Sequence, residues 1–423
     1  MSRQLEVRLY DNHVGDLMQI NGKLAFSYAP AWLQRTDAVA LSYSLPLQAE
    51  LFDDHATRPF FAGLLPEGNK RKLIAQTLQV SRQNDFALLD GIGGECAGAV
   101  SFLEPGQRLP QAADAEQVRW LDKDELLRLL DELPFRPMLV GEQGLRLSLA
   151  GAQDKLPVVV KGEKIGLPLN GSPSSHILKP AIAGVEDSVL NEGFCMALAG
   201  AMQLDVAKTA IHQVGDRRFL LVERYDRQVD AVSQLLRLHQ EDFCQALGIA
   251  PEYKYQNEGG PDLAQCFALL RKATRPSAPH TLRLLDFVIF NALIGNHDAH
   301  AKNFSLLYSA NGVVLAPLYD VLSTAVYSTL TPKMAMKLGS KYRFTEVEAS
   351  HWARFAQDAE LSSSQVRKRI IQLAQRLPPE ARKLKSDDRF DFSSTSLLER
   401  IIDLIEHRCA LTIGRLTKQP ERT

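Results

Sequence analysis

Gly295-Asn296-His297-Asp298-Ala299-His300-Ala301-Lys302-Asn303 is the stretch of this 423-residue sequence that decides the fold, and Leu318-Tyr319-Asp320 follows it after a short strand-like interval. Protein kinases place a catalytic base and an asparagine metal ligand five residues apart, and a second carboxylate ligand comes after a hairpin-sized interval. Asp298, Asn303 and Asp320 have this spacing. The stretch therefore predicts phosphoryl transfer.

Phosphoryl transfer needs an acceptor for the proton of the attacking hydroxyl and oxygen ligands for magnesium. The spacing predicts Asp298 as the acceptor and Asn303 and Asp320 as the ligands. A polar loop that caps a helix would also account for an Asp-x-x-x-x-Asn spacing. The preceding sequence favours the catalytic interpretation, because its apolar residues predict a buried helix that ends at the polar run. These residues are Leu282, Leu285, Val288, Ile289, Leu293 and Ile294.

The composition is that of a soluble globular protein, with 45% hydrophobic and 23% charged residues and a formal net charge of -1. This balance argues against disorder and against binding nucleic acid through overall charge. The five cysteines are far apart and form no C-x-x-C pair, which predicts neither a zinc site nor disulfides and fits a reducing cytoplasm. The charged N-terminal segment and the absence of a long apolar run predict neither secretion nor membrane insertion.

The order of patterns along the chain predicts four segments. They are a β-rich N-terminal domain at 1–105, a linker with a helix at 106–145, an upper lobe with nucleotide loop and hinge at 146–234, and a helical lower lobe at 235–423. A mixed lobe followed by a helical lobe is the order of a kinase. We therefore predict an α+β, two-lobed protein-kinase-like fold, with a β-rich N-terminal domain, a mixed upper lobe and an all-α lower lobe.

Several local patterns support this order. Alternating residues predict strands at 5–10 and 24–28 with Asn21-Gly22 as the turn between them, and a hairpin at 155–168 around Gly162-Glu163. Gly91 to Cys96 begins like a dinucleotide fingerprint but lacks its final glycine, so we interpret it as a turn. Capping boxes at Ser362-x-x-Gln365 and Ser396-x-x-Glu399 predict the starts of two amphipathic helices.

Three further segments are candidates for the nucleotide site. Ser148 to Lys155 is small and polar enough for its backbone to approach phosphates, although a tight turn would have the same composition. Lys179 ends a strand and Glu192 lies on the next helix, so they could form a phosphate-orienting pair or a surface ion pair that stabilises by about 0–1 kcal/mol. Glu223-Arg224-Tyr225 ends an apolar strand and could border an adenine or form a charged turn.

The histidines of the central run allow a different enzyme class. His297 and His300 with Asp298 and a later aspartate could bind metals for phosphoester hydrolysis. That chemistry requires another upstream histidine, and His280 is the one nearby, in a segment poorly suited to present a ligand. A hydrogen-bonded loop residue is the simplest role for either histidine.

Taken together, the motifs resemble the HipA family of bacterial serine/threonine kinase toxins from HipA–HipB toxin–antitoxin pairs. The resemblance runs from the first strand to Ser323. It rests on Phe60 to Glu67, Gly98 to Val100, Ser148 to Lys155, His176 to Lys179, Asn191-Glu192, Val222 to Arg227, Gln240 to Gln245, Gly259-Gly260-Pro261, Gly295 to Asn303, and Tyr319-Asp320.

This resemblance implies ATP and Mg²⁺, with Asp298 as the base, Asn303 and Asp320 as metal ligands and Glu192 as the orienting residue. It also implies autophosphorylation at Ser148, where the added charge of about -1.5 to -2 would repel ATP and push the loop out of the site. The implied ATP-binding residues are Ala150, Gly151, Ala152, Gln153, Asp154, Lys155, Lys179, Glu223, Arg224, Tyr225, His300, Lys302 and Tyr319.

The implied partners are a HipB-like helix-turn-helix antitoxin, operator DNA reached mainly through that antitoxin, and a protein substrate that in the family is glutamyl-tRNA synthetase. The sequence departs from the best-known family member at Asn296, His297, Ala299 and Asp154, and these changes keep the functional atoms. A non-enzymatic corepressor, which scaffolds an antitoxin on DNA and binds no MgATP, is the alternative from another functional class.

Overall fold

The computed structural model describes residues 3–10, 12–107, 117–231, 234–309, 312–387, 392 and 395–418. Part of the predicted linker, 108–116, lies outside them. The strands are β1 Arg3–Leu9, β2 Asn12–Ile20, β3 Lys23–Tyr28, β4 Val100–Leu103, β5 Val118–Trp120, β6 Leu156–Lys161, β7 Lys164–Pro168, β8 His176–Pro180, β9 Thr209–Val214, β10 Arg217–Glu223, β11 Arg227–Val229, β12 Leu235–Arg237, β13 His239–Asp242, β14 Ser305–Ser309 and β15 Gly312–Leu315. The helices are α1 Pro30–Leu33, α2 Asp54–Ala62, α3 Gly68–Thr77, α4 Asp85–Ile92, α5 Lys123–Glu132, α6 Ser188–Ala201, α7 Phe243–Ala246, α8 Leu263–Ala273, α9 Ser277–Ile294, α10 Ala349–Asp358, α11 Ser363–Lys385 and α12 Ser396–Thr417.

These elements form two compact units, each assembled from several stretches of the chain. The first unit comprises Met1–Pro180, Ala210–Glu252 and Ser305–Asn311. The second unit comprises Ala181–Thr209, Tyr253–Phe304 and Gly312–Thr423. The division into four consecutive segments made from the sequence stays a prediction.

The first unit begins with an antiparallel sheet in the order β3-β2-β1-β4. Alternate residues of β1 are buried from Leu5 onward, as expected for a strand with one face on a core. The buried face packs on aromatic residues of α2, where the Phe26 and Phe61 ring centroids are 5.4 Å apart. The sheet and α2 therefore share one apolar core, which continues through the unit.

One prediction for this region was wrong. The Asn21-Gly22 turn joins β2 to β3 and not the two strands expected from the sequence, because β2 lies between them and was missed. Helices α2, α3 and α4 were not predicted either. The interpretation of Gly91 to Cys96 as a turn is correct in part, since Gly91 and Ile92 are the last residues of α4 and the turn is formed by Gly93 and Gly94.

A second sheet of the first unit has the strand order β5-β7-β6-β8-β10-β9. Its β6–β7 hairpin turns at Gly162-Glu163, as predicted, and β8 pairs with β10 so that Lys179 lies opposite Leu220. Strands β13 and β14 pair antiparallel in the same unit, with His239 opposite Tyr308. The hairpin is confirmed, as are the strand predicted before Lys179 and the apolar strand predicted before Arg224.

The second unit is mainly helical. Its core is built from the apolar faces of α6, α8, α9, α11 and α12, and α10 packs on α8 and α11. The rings of Phe267 and Phe355 meet edge to face at 5.8 Å. The helix predicted before the central run is α9, and the residues that predicted it are buried except for Leu282, which is exposed.

The predicted helix starts are partly correct. Ser362 is the N-cap of α11 and accepts a hydrogen bond from the Gln365 backbone N–H. The N-cap of α12 is Thr395, whose hydroxyl accepts from the Leu397 N–H, so Ser396 is the first residue of the helix and not the cap that the predicted box requires. Among the described residues, the helices are too short or too polar to cross a bilayer.

Candidate active site

The central run of the sequence follows the C-terminus of α9 in the second unit. Gly295 ends the helix with φ +80°, and its N–H donates to the Asn291 carbonyl. L-residues with side chains rarely adopt this conformation, and a Cβ at Gly295 would also lie 2.7 Å from the Cβ of Ala325. Glycine is therefore required at the point where the chain leaves the helix and enters the loop.

Hydrogen bonds within the loop fix Asp298 relative to Asn303. The buried Asn296 side chain donates to Asn291 Oδ1 at 2.8 Å and accepts from the Asp298 N–H at 3.1 Å. Asn303 Nδ2 donates to the Asp298 carbonyl at 3.1 Å, which leaves Oδ1 as the amide atom suited to ligate a cation. The spacing of five residues thus corresponds to a closed loop in which both predicted functional residues are held.

The half-buried carboxylate of Asp298 also has a partner from a distant part of the second unit. The Tyr255 hydroxyl donates to Asp298 Oδ1 at 2.7 Å. The Tyr255 ring meets the His300 ring edge to face, with centroids 5.3 Å apart. Tyr255 had no role in the sequence analysis, because no local pattern connects it with a residue 43 positions away.

The segment that carries Asp320 is tied to the same loop. The Tyr319 hydroxyl donates to the Lys302 carbonyl at 2.7 Å, and Thr324 Oγ1 accepts from the His297 N–H at 2.8 Å. Asp320 itself has φ +58°, a conformation that asparagine and aspartate adopt more readily than most other residues. Such backbone conformations occur often at functional sites, where the surrounding contacts maintain them.

Asn191 of α6 anchors the far end of this segment. Its buried side chain accepts from the Ser323 N–H at 2.7 Å and donates to the Ser323 carbonyl at 3.0 Å. The Tyr327 hydroxyl lies 3.0 Å from Asn191 Nδ2. Asn191 therefore holds the chain just after Asp320, which gives a structural role to a residue that the sequence analysis had included in a motif without one.

His297 is a structural residue of the loop. Its Nδ1 donates to the Thr331 carbonyl at 3.2 Å, and its Nε2 accepts from Arg408 Nη1 at 3.3 Å, so both ring nitrogens are used. Burial, with the neighbouring Arg408 guanidinium, lowers the pKa of His297 to about 4. Burial likewise lowers the pKa of Arg408 to about 9, and its guanidinium stacks 3.9 Å from the Phe344 ring centroid.

The hydrolase alternative lacks a supporting cluster. Among the residues that the structure describes, no group of three or more His, Cys, Asp or Glu side chains is placed to hold a metal ion. His297 is committed to hydrogen bonds as the simplest interpretation had it. Asn303 Oδ1 and the Asp320 carboxylate are hard oxygen donors, which fit magnesium and not a nitrogen-seeking transition metal.

In the first unit, the predicted nucleotide loop is fixed to the segment after α2. Ser148 is buried, and its hydroxyl donates to the Leu64 carbonyl at 2.9 Å. The Gly151 carbonyl accepts from the Glu67 N–H at 3.0 Å, and Gly151 has φ +110°. Phe60 to Glu67, a motif that had no assigned role, therefore supports the loop.

One hydrogen bond and one ion pair further hold the loop. Lys155 Nζ donates to the Ala150 carbonyl at 2.5 Å, and Asp154 forms an ion pair with Lys70 at 2.6 Å. The first bond joins the two ends of the loop, and the second joins the loop to α3. The backbone of 150–153 is thereby kept in a turn of small residues, which is the property that suits a phosphate-binding loop.

Lys179 lies on β8 and is buried, at 6% exposure, so it is not the solvent-facing lysine that strands usually carry. Glu192 lies on α6 of the second unit and is buried as well. A surface ion pair is therefore not the role of either residue. The predicted pairing between them stays a prediction, because the two residues belong to different units.

Arg224 occupies a buried ion network in the first unit. Its guanidinium donates to both oxygens of Asp226, at 2.9 and 2.7 Å, and to Glu95 Oε1 at 3.0 Å. Arg227 and Arg237 also donate to Glu95, at 2.7 and 2.6 Å. Since the Arg224 side chain is committed to the network, its backbone is the part that can contact a nucleotide.

The attraction between the carboxylates and the guanidinium groups of this network is strong because the groups are largely buried away from water. Burial alone would raise the pKa of Glu95, but the guanidinium groups of Arg227, Arg237 and Arg224 hold it well below its usual range. Beside the network, the Tyr225 hydroxyl donates to Gln240 Oε1 at 2.5 Å. The network thus links the predicted adenine-binding segment to the 95–98 turn, and sequence reasoning missed it because its members are up to 142 residues apart.

Comparisons with known proteins identify the family of this chain. The model of the HipA N-terminal domain matches residues 5–103, and the model of the HipA-like C-terminal domain matches residues 147–381. Y4mE of Sinorhizobium fredii is 45% identical over 393 residues, which cover 92% of this chain and 94% of that protein. The serine/threonine-protein kinase toxin HipA of Shewanella oneidensis is 30% identical over 387 residues, covering 86% of this chain and 87% of the relative.

The fold is shared as well. A solved structure of Shewanella oneidensis HipA, in a complex with HipB and its operator DNA, superimposes with a TM-score of 0.86 at 27% identity, covering 97% of this chain and 98% of that one. This confirms the predicted α+β kinase-like fold. The chain belongs to the HipA family of serine/threonine-protein kinase toxins.

Proposed function

We propose that this chain transfers the γ-phosphate of ATP to a serine or threonine hydroxyl of a protein, and that it acts as the toxin of a toxin–antitoxin pair. The observation that carries the proposal is the tied loop of the second unit. The Asn303 side chain donates a hydrogen bond to the Asp298 carbonyl, and the hydroxyl of Tyr319, the neighbour of Asp320, donates to the Lys302 carbonyl. The three residues with the kinase spacing are thus held in one hydrogen-bonded assembly.

In this reaction Asp298 receives the proton of the attacking hydroxyl. Asn303 Oδ1 and the Asp320 carboxylate hold Mg²⁺, which when bound neutralises charge on the nucleotide phosphates. The chain's own contribution is positioning, because phosphoryl transfer needs little covalent assistance. The fixed hydrogen bonds of the loop supply that positioning before substrate arrives.

Further residues are proposed to bind ATP. Lys179 and the turn at 150–155 serve the phosphates, with Glu192 as the orienting carboxylate, and the backbone at Glu223 and Arg224 together with the Tyr225 ring serves the adenine. His300, Lys302 and Tyr319 complete the set. Burial of Lys179 supports this role, because an electrostatic contact between its ammonium group and a phosphate is stronger away from bulk water.

Ser148 is the proposed autophosphorylation site. Its hydroxyl is buried against the Leu64 carbonyl, and a phosphate of charge about -1.5 to -2 cannot occupy that position without being desolvated. Phosphorylation would therefore displace the loop and weaken ATP binding. This gives the kinase a means of switching itself off.

The proposed partner is a HipB-like helix-turn-helix antitoxin, with operator DNA reached mainly through it. The HipA–HipB–operator complex of Shewanella oneidensis supports this assignment, and the net charge of -1 argues against DNA binding through overall charge. Family resemblance suggests glutamyl-tRNA synthetase as the substrate. Five free, buried cysteines fit a reducing cytoplasm.

Incubation of the purified protein with γ-labelled ATP and Mg²⁺ tests the proposal. We expect label in the protein, and we expect Asp320→Asn to lose both the label and the Mg²⁺-dependent thermal stabilisation by ATP. Asp358→Asn is the matched control, since Asp358 is an exposed residue at the end of α10. Full labelling of Asp320→Asn would contradict the assignment, and no stabilisation of the unsubstituted protein would favour the corepressor.

A further inference from the structure

Tyr255 is a residue of the second unit whose side chain contacts the proposed base from outside the catalytic loop. Its hydroxyl donates to Asp298 Oδ1 at 2.7 Å, the length of a strong charge-assisted bond. The hydroxyl hydrogen is the one hydrogen that a tyrosine side chain can donate to a carboxylate. The bond therefore fixes the rotation of the Asp298 carboxyl group as well as its location.

The chain around Tyr255 is built to hold this side chain in place. The Tyr255 carbonyl accepts from the Gly260 N–H at 3.0 Å and from the Glu258 N–H at 2.9 Å, which closes a tight turn. A Cβ at Gly260 would lie 2.1 Å from the Tyr253 carbonyl oxygen, a distance that no side chain permits. The Gly259-Gly260-Pro261 motif thus acquires a role, because it allows the turn from which Tyr255 projects.

A second set of contacts fixes the turn to the rest of the second unit. The Gln256 N–H donates to the Ala335 carbonyl at 3.1 Å, and Gln256 Oε1 accepts from the Lys337 N–H at 2.8 Å. Ala335 N–H in turn donates to the His297 carbonyl at 2.7 Å, next to Asp298. The tyrosine and the carboxylate are therefore anchored through the same short stretch of chain.

We propose that Tyr255 is a positioning residue of the phosphotransfer reaction, which orients the Asp298 carboxylate so that Oδ2 faces the acceptor hydroxyl. This proposal rests on the proposed function of Asp298 as the base. Its consequence is that Tyr255 affects the chemical step and leaves nucleotide binding unchanged. A merely structural tyrosine would instead affect stability and nucleotide binding together.

The opposite role would be inhibitory. A hydroxyl bonded to the base could occupy the place of the acceptor hydroxyl, and its removal would then speed the reaction. The hydrogen bonds of the Gly-Gly-Pro turn favour positioning. A blocking side chain must leave the site in each turnover, whereas the turn that carries Tyr255 is held in place by several backbone hydrogen bonds.

The test compares Tyr255→Phe with Tyr253→Phe by measuring the rate constant of autophosphorylation as a function of ATP concentration. Phenylalanine keeps the ring that packs on His300, and Tyr253 is an exposed tyrosine of the same turn. We expect Tyr255→Phe to lower the rate at saturating ATP by roughly 10- to 100-fold, the effect of losing one hydrogen bond to a charged group, with unchanged ATP concentration at half-saturation. Tyr253→Phe should match the unsubstituted protein.

Several results would overturn the inference. An unchanged rate in Tyr255→Phe, a faster rate, or a loss of rate accompanied by weaker ATP binding and a lower melting temperature would each refute positioning. Phosphate located on Tyr255 by mass spectrometry would do the same. If the unsubstituted protein transfers no phosphate, the proposed function itself fails and this role fails with it, so the two failures are distinguishable.

Discussion

Glu95→Gln tests the buried ion network of the first unit. Glu95 Oε1 accepts from Arg224, Arg227 and Ser174, and Oε2 accepts twice from Arg237. A glutamine keeps one oxygen and replaces the other with an NH₂ group. Whichever way the amide is turned, an N–H donor would then face a guanidinium donor, and the three arginines would retain one carboxylate, Asp226.

The size of the effect follows from the burial of these groups. Removal of one partner from a buried ion pair costs about 3–5 kcal/mol, because the remaining charges lose their compensation while they stay desolvated. We therefore expect Glu95→Gln to lower the free energy of unfolding by about 3–5 kcal/mol. A surface carboxylate of the same unit, Glu163 in the β6–β7 turn, provides the control, since Glu163→Gln makes the same charge change in exposed chain.

Urea unfolding at neutral pH, followed by circular dichroism, measures both variants. The reasoning is refuted if Glu95→Gln loses less than about 1 kcal/mol, the contribution of a surface pair. The pH dependence gives an independent check. Because the pKa of Glu95 is depressed in the folded protein, its stabilisation is complete above the unfolded value of about 4.3 and is lost as pH falls below that value towards the folded pKa.

Three further predictions concern the second unit and the nucleotide loop. Gly295→Ala and Gly184→Ala should both destabilise the protein by roughly 1–2 kcal/mol, because both glycines have positive φ. Gly295→Ala should cost more in urea unfolding, because a Cβ at Gly295 meets atoms within 4 Å and a Cβ at Gly184 does not. Equal losses would contradict this. The pKa of His297 is about 4 in the folded protein and about 6.5 in the unfolded chain, so between these pH values the unfolded state binds more protons. Lowering the pH from about 6.5 to 4 should therefore reduce the free energy of unfolding by at most about 3 kcal/mol through this residue, and His297→Gln should remove that part of the loss. An unchanged dependence of stability on pH would contradict this prediction. Ser148→Ala should abolish autophosphorylation and leave MgATP-dependent thermal stabilisation intact, and mass spectrometry that finds phosphate elsewhere would exclude Ser148.

The sequence predicted the parts of the site that are local. The α9 helix, its glycine end and the loop spacing lie within about 30 consecutive residues, where periodicity and helix-ending signals act. Strand β2 was missed because Asn12–Ile20 includes Gly15 and the charged Asp16, which weaken the alternating pattern. Leu282 was misplaced on the buried face because a helical stripe has edges that periodicity alone does not resolve.

The contacts that support the site could not be predicted in the same way. Tyr255 reaches Asp298 across 43 residues, Arg408 reaches His297 across 111, and Glu95 reaches Arg237 across 142. Buried polar contacts of this kind are fixed by tertiary packing and have no periodic signature in the chain. The motifs that the sequence analysis had left without a role, Phe60 to Glu67 and Gly259-Gly260-Pro261, are the segments that carry such supporting contacts.

Phosphate transfer by Asp298→Asn tests the central claim most directly. Asparagine keeps the shape of the side chain and removes the carboxylate that would receive the hydroxyl proton. With γ-labelled ATP and Mg²⁺, the account predicts that the unsubstituted protein and Asp358→Asn incorporate label, whereas Asp298→Asn incorporates none yet is still stabilised by MgATP and unfolds cooperatively. Label incorporated by Asp298→Asn at the rate of the unsubstituted protein would contradict it.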